Sequence, residues 1–308
     1  MRVMVTGAGG FLGNELVRAL AARGDDVVGF DVNLDKLKDN VPKSVSLSYG
    51  DVTDAVSVMS SVNMHRPDAI VHAAALVGAL TAFQGPRALV NVNINGSLNI
   101  MEAMRAFSVR RLIHISTDDV YGPSNGKLIS EEFAIDPSSP YGASKAAVEH
   151  FSRHYRSMYG LEIVHLRTAW VYGPGLPRER VPKIFVDAAL SGRPLHLETG
   201  ADTTLDQTHV ADFVAGAMLA LDCRSHPFEV YNIATGKAPR LDAVVEWIRE
   251  AVPSADISIG PGNYRYGGQI EMQPRGPLSI ARAASTFGYK PKYDLQAGLR
   301  AYIEALKA

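Results

Sequence analysis

Short apolar runs alternate with amphipathic stretches through the first half of the chain. Val3-Met4-Val5, Val27-Val28-Gly29-Phe30, Val45–Tyr49, Ala69-Ile70-Val71-His72, Leu112-Ile113-His114-Ile115 and Ile163-Val164-His165-Leu166 read as strands. Most are short and apolar throughout, the pattern of strands buried on both faces. Phe11–Ala22, Arg87–Phe107 and Tyr141–Tyr159 read as helices between them. Strands alternating with helices predict an α/β fold, a doubly wound parallel (Rossmann) sheet covered on both faces. The texture changes after Trp170: Gly173-Pro174-Gly175-Leu176-Pro177 reads as a loop, and glycine and proline recur through Gly260–Pro277. Asp212–Leu221, Leu241–Ala251 and Leu295–Leu306 read as helices. The expected organisation is a Rossmann domain over 1–170, with a segment at about 206–234 returning to it, and a smaller, partly interleaved α/β substrate lobe over 171–308.

Composition narrows the classes of function. The chain has 308 residues, 46% hydrophobic and 20% charged, which is ordinary for a folded globular protein. Lys plus Arg is 31 and Asp plus Glu 32, a formal charge of −1, so no basic excess points to nucleic acid or an anionic membrane as partner. One cysteine, Cys223, excludes an internal disulfide and a cysteine-based metal cluster. The nine histidines form no His-Glu-x-x-His array, so no catalytic metal is expected. No window reaches the roughly 18 apolar residues of a membrane helix. Met1–Gly7 runs straight into a strand and a glycine turn without a signal peptide, and the expected location is cytoplasmic.

The first strand leads into Thr6-Gly7-Ala8-Gly9-Gly10-Phe11-Leu12-Gly13. Gly7 permits a tight turn, Gly10 admits a pyrophosphate to the backbone and Gly13 lets the helix pack closely. The helix N-terminus at Phe11 and Leu12 then faces the anion. Asp31, eighteen residues after Gly13 at the end of the second strand, suits the hydroxyls of an adenosine ribose, with Asn33 on the same loop. No arginine follows it closely to receive a 2′-phosphate, so the expected cofactor is NAD. Asp51, with Val52, ends the next strand, where a carboxylate meets an adenine amino group. Ala73, Ala74 and Ala75 follow His72 with small side chains that let a flat cofactor lie against the backbone, and His72 itself reads as a core histidine.

Tyr141 and Lys145 stand four residues apart, on one face of a helix. A free tyrosine, with a pKa of about 10, is a weak base at neutral pH. A neighbouring ammonium favours its phenolate. Ser116-Thr117 lies 24 residues upstream of Tyr141, at the carboxyl end of a strand, the edge where open α/β sheets carry their sites. In this arrangement Thr117 orients a substrate oxygen, Tyr141 moves its proton, and Lys145 holds the nicotinamide ribose and tunes Tyr141.

The order Thr6-Gly-x-x-Gly-Phe-x-Gly, His72-x-Ala-Ala, Ser116-Thr-Asp-Asp-Val-Tyr-Gly, Tyr141-x-x-x-Lys145 resembles the extended short-chain dehydrogenases/reductases. Within them the chain is similar to the NAD-dependent epimerase/dehydratase family, whose members largely modify nucleotide sugars. Gly200–Asp212 is similar to the family's returning strand and helix, and Val230–Ile233 to its late strand. The resemblance implies that Asn93 and Ser116 lie near the nicotinamide, and that two helices per subunit, about 87–107 and 142–158, form a homodimer. Substrate-side motifs depart from the pattern. Leu205 stands where many epimerases carry the arginine of Arg-Asp-Tyr/Phe-x-His-Val, and Trp170 where they carry asparagine, as in nucleotide-sugar 4-keto reductases. Asp118 and Asp119 resemble the acid-base pair after the threonine of sugar 4,6-dehydratases, with Asp119 one methylene shorter than the family's glutamate. Trp170, Arg180 and Arg275, along with Thr117 and Asp118, are the candidate substrate contacts, and Lys183 a further candidate for an anion. The expected activity is NAD-dependent modification of a sugar or nucleotide sugar through a keto intermediate, foremost epimerisation. Dehydrogenation or keto-sugar reduction, 4,6-dehydration and a non-catalytic NAD-binding regulator remain as alternatives.

Overall fold

A computed structural model describes residues 1–38, 41–42, 44–78, 85–268, 270–272 and 275–307. Residues 269, 273 and 274, inside the glycine- and proline-rich stretch noted above, lie outside the described residues.

Seven strands form the main sheet: β1 (Arg2–Thr6), β2 (Asp26–Asp31), β3 (Val45–Tyr49), β4 (Ala69–His72), β5 (Arg111–Thr117), β6 (Glu162–Thr168) and β7 (Val230–Ile233). Their order is β7-β6-β5-β4-β1-β2-β3, and β3–β2, β2–β1, β1–β4 and β4–β5 pair in parallel. The order reverses between β1 and β4, the switch point where doubly wound sheets open a crevice at their carboxyl ends. The sheet is the expected α/β architecture, and each strand read from the sequence lies within a residue or two of its place.

The flanking helices are α1 (Phe11–Arg23), α2 (Ala55–His65), α3 (Gly96–Phe107) and α4 (Pro140–Tyr159). The stretch expected as helix over 87–107 is helical throughout, but it changes its winding part-way. A single α-turn, Pro86–Leu89, runs into a wide π-turn over Val90–Asn95 before α3 begins. The extra residue per turn brings Asn93 inward, where its amide is fully engaged, without rotating the apolar face of α3 off the sheet. Helix α4 starts where it does because Ser139 accepts a hydrogen bond from the Gly142 N–H at 3.0 Å and Pro140 occupies the first turn.

On the face covered by α2, α3 and α4, each strand of the sheet centre changes character along its length. Met4, Ile70, Leu112 and Ile163 form an apolar layer with Ile100, Met104 and Val148. Two residues further on, the same strands carry Thr6, His72, His114 and His165, all buried. Register confirms the alignment, Thr6 opposite His72 and His72 opposite His114. The apolar layer supplies the burial that folds the sheet, and the polar layer sits toward its carboxyl edge.

The chain divides into two compact units. The first holds Met1–Gly122, Ile135–Arg167 and Ala217–Tyr231; the second holds Pro123–Ala134, Thr168–Gly216 and the chain from Asn232 onward. Of the segment read as returning at about 206–234, residues 217–231 thus fall in the first unit. In the second unit Trp170–Tyr172 pairs in parallel with Gln207–His209, and Leu195–Leu197 with Ile257–Ile259. Its helices include Lys183–Ser191, Leu241–Ala251 and Leu295–Lys307. Among the described residues no helix is long and apolar enough to cross a membrane.

Candidate active site

The turn between β1 and α1 presents backbone. Gly7 has φ +70°, and a Cβ there would stand 2.5 Å from the Ala74 nitrogen, so only glycine fits. Gly10 donates its N–H to the Gly7 carbonyl at 3.0 Å and caps α1, while Gly13 lies in the first turn of that helix. No side chain caps α1 and no acidic residue stands in its first turn, so the N–H groups around Phe11 and Leu12 face outward under the positive end of the helix dipole. That is a fit for a pyrophosphate. Asp31 braces the same turn: one carboxylate oxygen accepts from Gly9 N–H at 3.0 Å and the other from Asn33 N–H at 3.0 Å. Gly9 has no role in the sequence reading, yet a Cβ there would stand 1.8 Å from the Asn33 carbonyl oxygen.

Asp51 accepts from the Thr53 N–H at 2.8 Å, and the buried Val52 lends its carbonyl to Asn99 of α3 at 2.9 Å. Ala73 donates its N–H to the Thr6 carbonyl at 3.1 Å, and Ala74 to the Thr6 hydroxyl at 3.4 Å, which fixes the Ala73–Ala75 strip next to Gly7. Below it His72 is a core histidine. Its ring joins Thr6 Oγ1 at 2.6 Å and Ser97 Oγ at 3.0 Å, and burial, helped by the Lys145 charge, pushes it down to about 3. Asn93 accepts from Leu76 N–H at 2.8 Å and donates to the Leu76 carbonyl and Ser144 Oγ at 3.0 and 2.9 Å. It ties the strip to α4 with all of its amide hydrogens.

The first turn of α4 lies against the end of β5. A Cβ on Gly142 would stand 2.4 Å from the Asp119 carbonyl oxygen, so glycine permits the close approach of this turn, which also carries Tyr141, to Asp119. The Thr117 hydroxyl accepts from the Asp119 N–H at 3.2 Å and donates to Asp118 Oδ1 at 3.3 Å. It is therefore Thr117 that caps the short turn Asp118–Val120, with Asp118 buried behind it. Tyr141 is buried and packs with Leu89 and Val77. Lys145, one turn on and 2% exposed, donates to the Ile115 carbonyl at 2.7 Å and lies 3.4 Å from His114 Nε2. Burial pushes Lys145 down to about 7, against the upward pull of Glu149.

A buried ion pair completes this layer. Arg167 of β6 donates to both oxygens of Glu149 at 3.0 and 2.5 Å and lies 4.6 Å over the Tyr121 ring. Ser116 also donates to Glu149, at 2.6 Å, so its hydroxyl turns inward. Burial pushes the Glu149 carboxyl up, but Arg167 and Ser116 outweigh it and hold it below its ordinary value. Glu149, Arg167, His114, His165 and Ser152 were missed as site residues. Their signal was the spacing from Lys145 to Glu149 along α4, together with polar residues two apart on β5 and β6.

In the second unit Arg180 lays its guanidinium 4.8 Å over the Trp170 ring, with Tyr266 edge-on to Trp170 at 6.0 Å. Arg180 also donates to the Val171 carbonyl at 2.8 Å. Arg275 lends its carbonyl to the Thr204 hydroxyl at 2.7 Å. Lys183 is ion-paired with Glu179 at 2.9 Å and with Asp187, which commits the charge that the sequence reading offered to an anion. Leu205 is buried, and the Asp206 carboxylate beside it accepts from Thr235, Gly236 and Leu278. Burial still raises Asp206 to about 6.

The model of the NAD dependent epimerase/dehydratase family matches residues 3–234. The chain belongs to that family. Family membership makes it an NAD-dependent enzyme, and the open turn at Gly7–Gly13 fits that cofactor. Two solved structures illustrate the likeness. A UDP-glucose 4-epimerase of Thermus thermophilus, in complex with NAD, is 31% identical with a TM-score of 0.88, covering 100% of this chain and 99% of that one. A UDP-glucose 4-epimerase of Thermotoga maritima, with UDP-glucose, is 26% identical with a TM-score of 0.90 and the same coverage. A dTDP-glucose 4,6-dehydratase of Salmonella typhimurium is 28% identical over 346 residues, 99% of this chain and 92% of that protein.

Proposed function

We propose that this epimerase/dehydratase-family enzyme interconverts two UDP-hexoses that differ at C4. The observation that carries the reading is the close packing of the first turn of α4, which carries Tyr141, on Asp119 just past β5, with Lys145 one turn on bonded to the Ile115 carbonyl of β5. NAD, when bound, supplies the acceptor that takes a hydride from the sugar and gives it back. Gly7, Gly10, Gly13 and the first turn of α1 at Phe11 and Leu12 would hold its pyrophosphate. Asp31 and Asn33 would hold the adenosine ribose, Asp51 and Val52 the adenine, and Ala73–Ala75 the flat path between. Tyr141 takes the proton of the sugar hydroxyl and returns it. Lys145 holds its charge beside the nicotinamide ribose and favours the Tyr141 phenolate. Thr117 orients the reacting oxygen, and Asn93 and Ser116 act by bracing α4 and β5. In the second unit, Trp170, Arg180 and Arg275 are the proposed contacts for the nucleotide end, with Arg180 in place of the arginine missing at Leu205.

Asp118 and Asp119 behind Thr117 support 4,6-dehydration as a second reading, and one assay separates the two. The NAD-loaded enzyme is incubated with UDP-glucose and the products are resolved by NMR. Formation of UDP-galactose without accumulating NADH is expected. A 4-keto-6-deoxy product supports dehydration, and stoichiometric NADH overturns both readings. The proposed partner is a second copy of the chain. Phe151, Met158 and Tyr159 of α4 are exposed, next to an apolar groove of Leu98, Ala147, His150, His154 and Tyr155 on α3 and α4. Light scattering should give a dimer, and Phe151→Asp a monomer.

A further inference from the structure

Behind Lys145 runs a chain of buried side chains to which the proposed reaction gives no task. His114 Nε2 lies 3.4 Å from Lys145 Nζ, His114 Nδ1 lies 2.9 Å from His165 Nδ1, and His165 Nε2 lies 2.7 Å from Ser152 Oγ. Ser152 donates to the Glu149 carbonyl at 2.7 Å. Proton placement follows from the far end. A serine hydroxyl has one proton. Ser152 gives it to Glu149, so its oxygen accepts from the His165 Nε2–H. A neutral imidazole carries one N–H, which leaves His165 Nδ1 as the acceptor and His114 Nδ1 as the donor between the rings. His114 therefore turns a lone pair, on Nε2, toward Lys145. An ammonium offers only donors, so the near end demands the same order. Both rings stay uncharged, His114 by burial and the Lys145 charge, and His165, pushed down to about 4, chiefly by burial.

We propose that His114 is the positioning residue of Lys145: locked as its Nδ1–H tautomer through His165 and Ser152, it presents a fixed lone pair that aims the ammonium and favours its charged state. The proposal rests on the reading of Tyr141 and Lys145 as the catalytic pair. The groups facing Lys145 are His72 from β4, His114 from β5, His165 from β6 and Glu149 from its own helix. Glu149 alone among them is charged, and Arg167 shares its charge. Ile115 also accepts from Nζ, but through a carbonyl present whatever the residue. His114 is thus the adjustable partner. Removing its lone pair disfavours the ammonium, weakens the help given to the Tyr141 phenolate, and moves the acidic limb of kcat to higher pH.

One arm of the test needs no turnover. Holoenzyme carrying 15N-histidine is measured by NMR at pH 6, where Lys145 is charged. Nδ1–H at His114 and Nε2–H at His165 are expected; the opposite tautomer or a protonated ring at either position overturns the proposal. In the second arm His114→Phe should raise the acidic midpoint of kcat by about one pH unit, a tenfold loss below the midpoint. His114→Gln, whose Oε1 falls near the lost Nε2, should restore most of the shift. A lower Tm with an unmoved midpoint reduces His114 to packing and overturns the proposal. Should His114→Phe fail to fold, Ser152→Ala frees His165 to turn over its tautomer and should move the midpoint the same way by a smaller amount; no movement overturns it. Tyr141→Phe and Lys145→Met keep the two failures apart. Wild-type turnover in either sinks the catalytic-pair reading, whereas their inactivity alongside an unmoved His114→Phe profile sinks this proposal alone.

Discussion

Between β1 and α1 the groups offered to a ligand are backbone N–H groups, set by a turn that begins at Gly7 with φ +70° and ends on an uncapped helix. Across the carboxyl ends of β4, β5 and β6 they are side chains, held by one another in a layer that water does not reach. The first device needs glycine at its close approaches and asks little of the side chains around them. The second depends on every member, because a buried donor or acceptor left alone costs about 1–3 kcal/mol, and a charge more. One fold thus combines a turn set by backbone geometry with a polar network set by its own partners.

Four substitutions press on that contrast. Tyr141→Phe removes only the phenol, and kcat should fall by about 10²- to 10⁴-fold while calorimetry finds NAD still bound. Lost NAD binding would mean that the layer also holds the cofactor, and the division of labour would fail. Glu149→Gln strands the buried Arg167 charge and turns one of its two acceptor oxygens into an NH2 donor, at a cost of about 3–5 kcal/mol in urea unfolding. A loss well under 1 kcal/mol would show that the layer is not interdependent. Gly7→Ala forces a side chain into the Ala74 backbone and should weaken NAD by about tenfold or more while leaving kcat at saturating NAD near wild type. A fall confined to kcat would reverse the assignment.

The smallest effect concerns Lys145. Its folded pKa, about 7, lies below its ordinary value of 10.5, so between those values the unfolded chain binds more protons and stability rises with pH. Below pH 7 the whole penalty of burying the ammonium is present. Lys145→Met should therefore raise Tm at pH 6 by about 2–4 °C for each kcal/mol relieved, with the gain shrinking toward pH 10. A gain that grows with pH would contradict a buried, charge-strained lysine.

The backbone device was legible in the sequence. Gly7-x-x-Gly10-x-x-Gly13 and Asp31 need only local order, a strand, a turn and a helix, and the Tyr141–Lys145 spacing needs only a helical period. The side-chain layer was not, because His72, His114 and His165 lie 42 and 51 residues apart and only strand register aligns them. Its trace was present in the switch from apolar to polar two residues along each strand: Ile70 to His72, Leu112 to His114, Ile163 to His165. Nor does periodicity reveal the one extra residue per turn at Val90–Asn95, since apolar positions continue through it. The Thr117 hydroxyl was read as facing substrate, and its capping role depends on a turn whose type three residues do not announce. Interleaving of the two units, with 123–134 belonging to the second, follows from contacts distant in sequence.

Because the histidine chain ends on Lys145 at one side and on the Glu149 carbonyl at the other, each link dictates which partner its neighbour can have. Changes there should compound or cancel out of proportion to their single effects, so that a damaging replacement at His165 is repaired by a second at Ser152 sooner than by any reversal nearby. Grafting this chemistry onto another sheet therefore means moving matched residues of two strands and a helix at once, whereas the glycine turn can be transplanted alone.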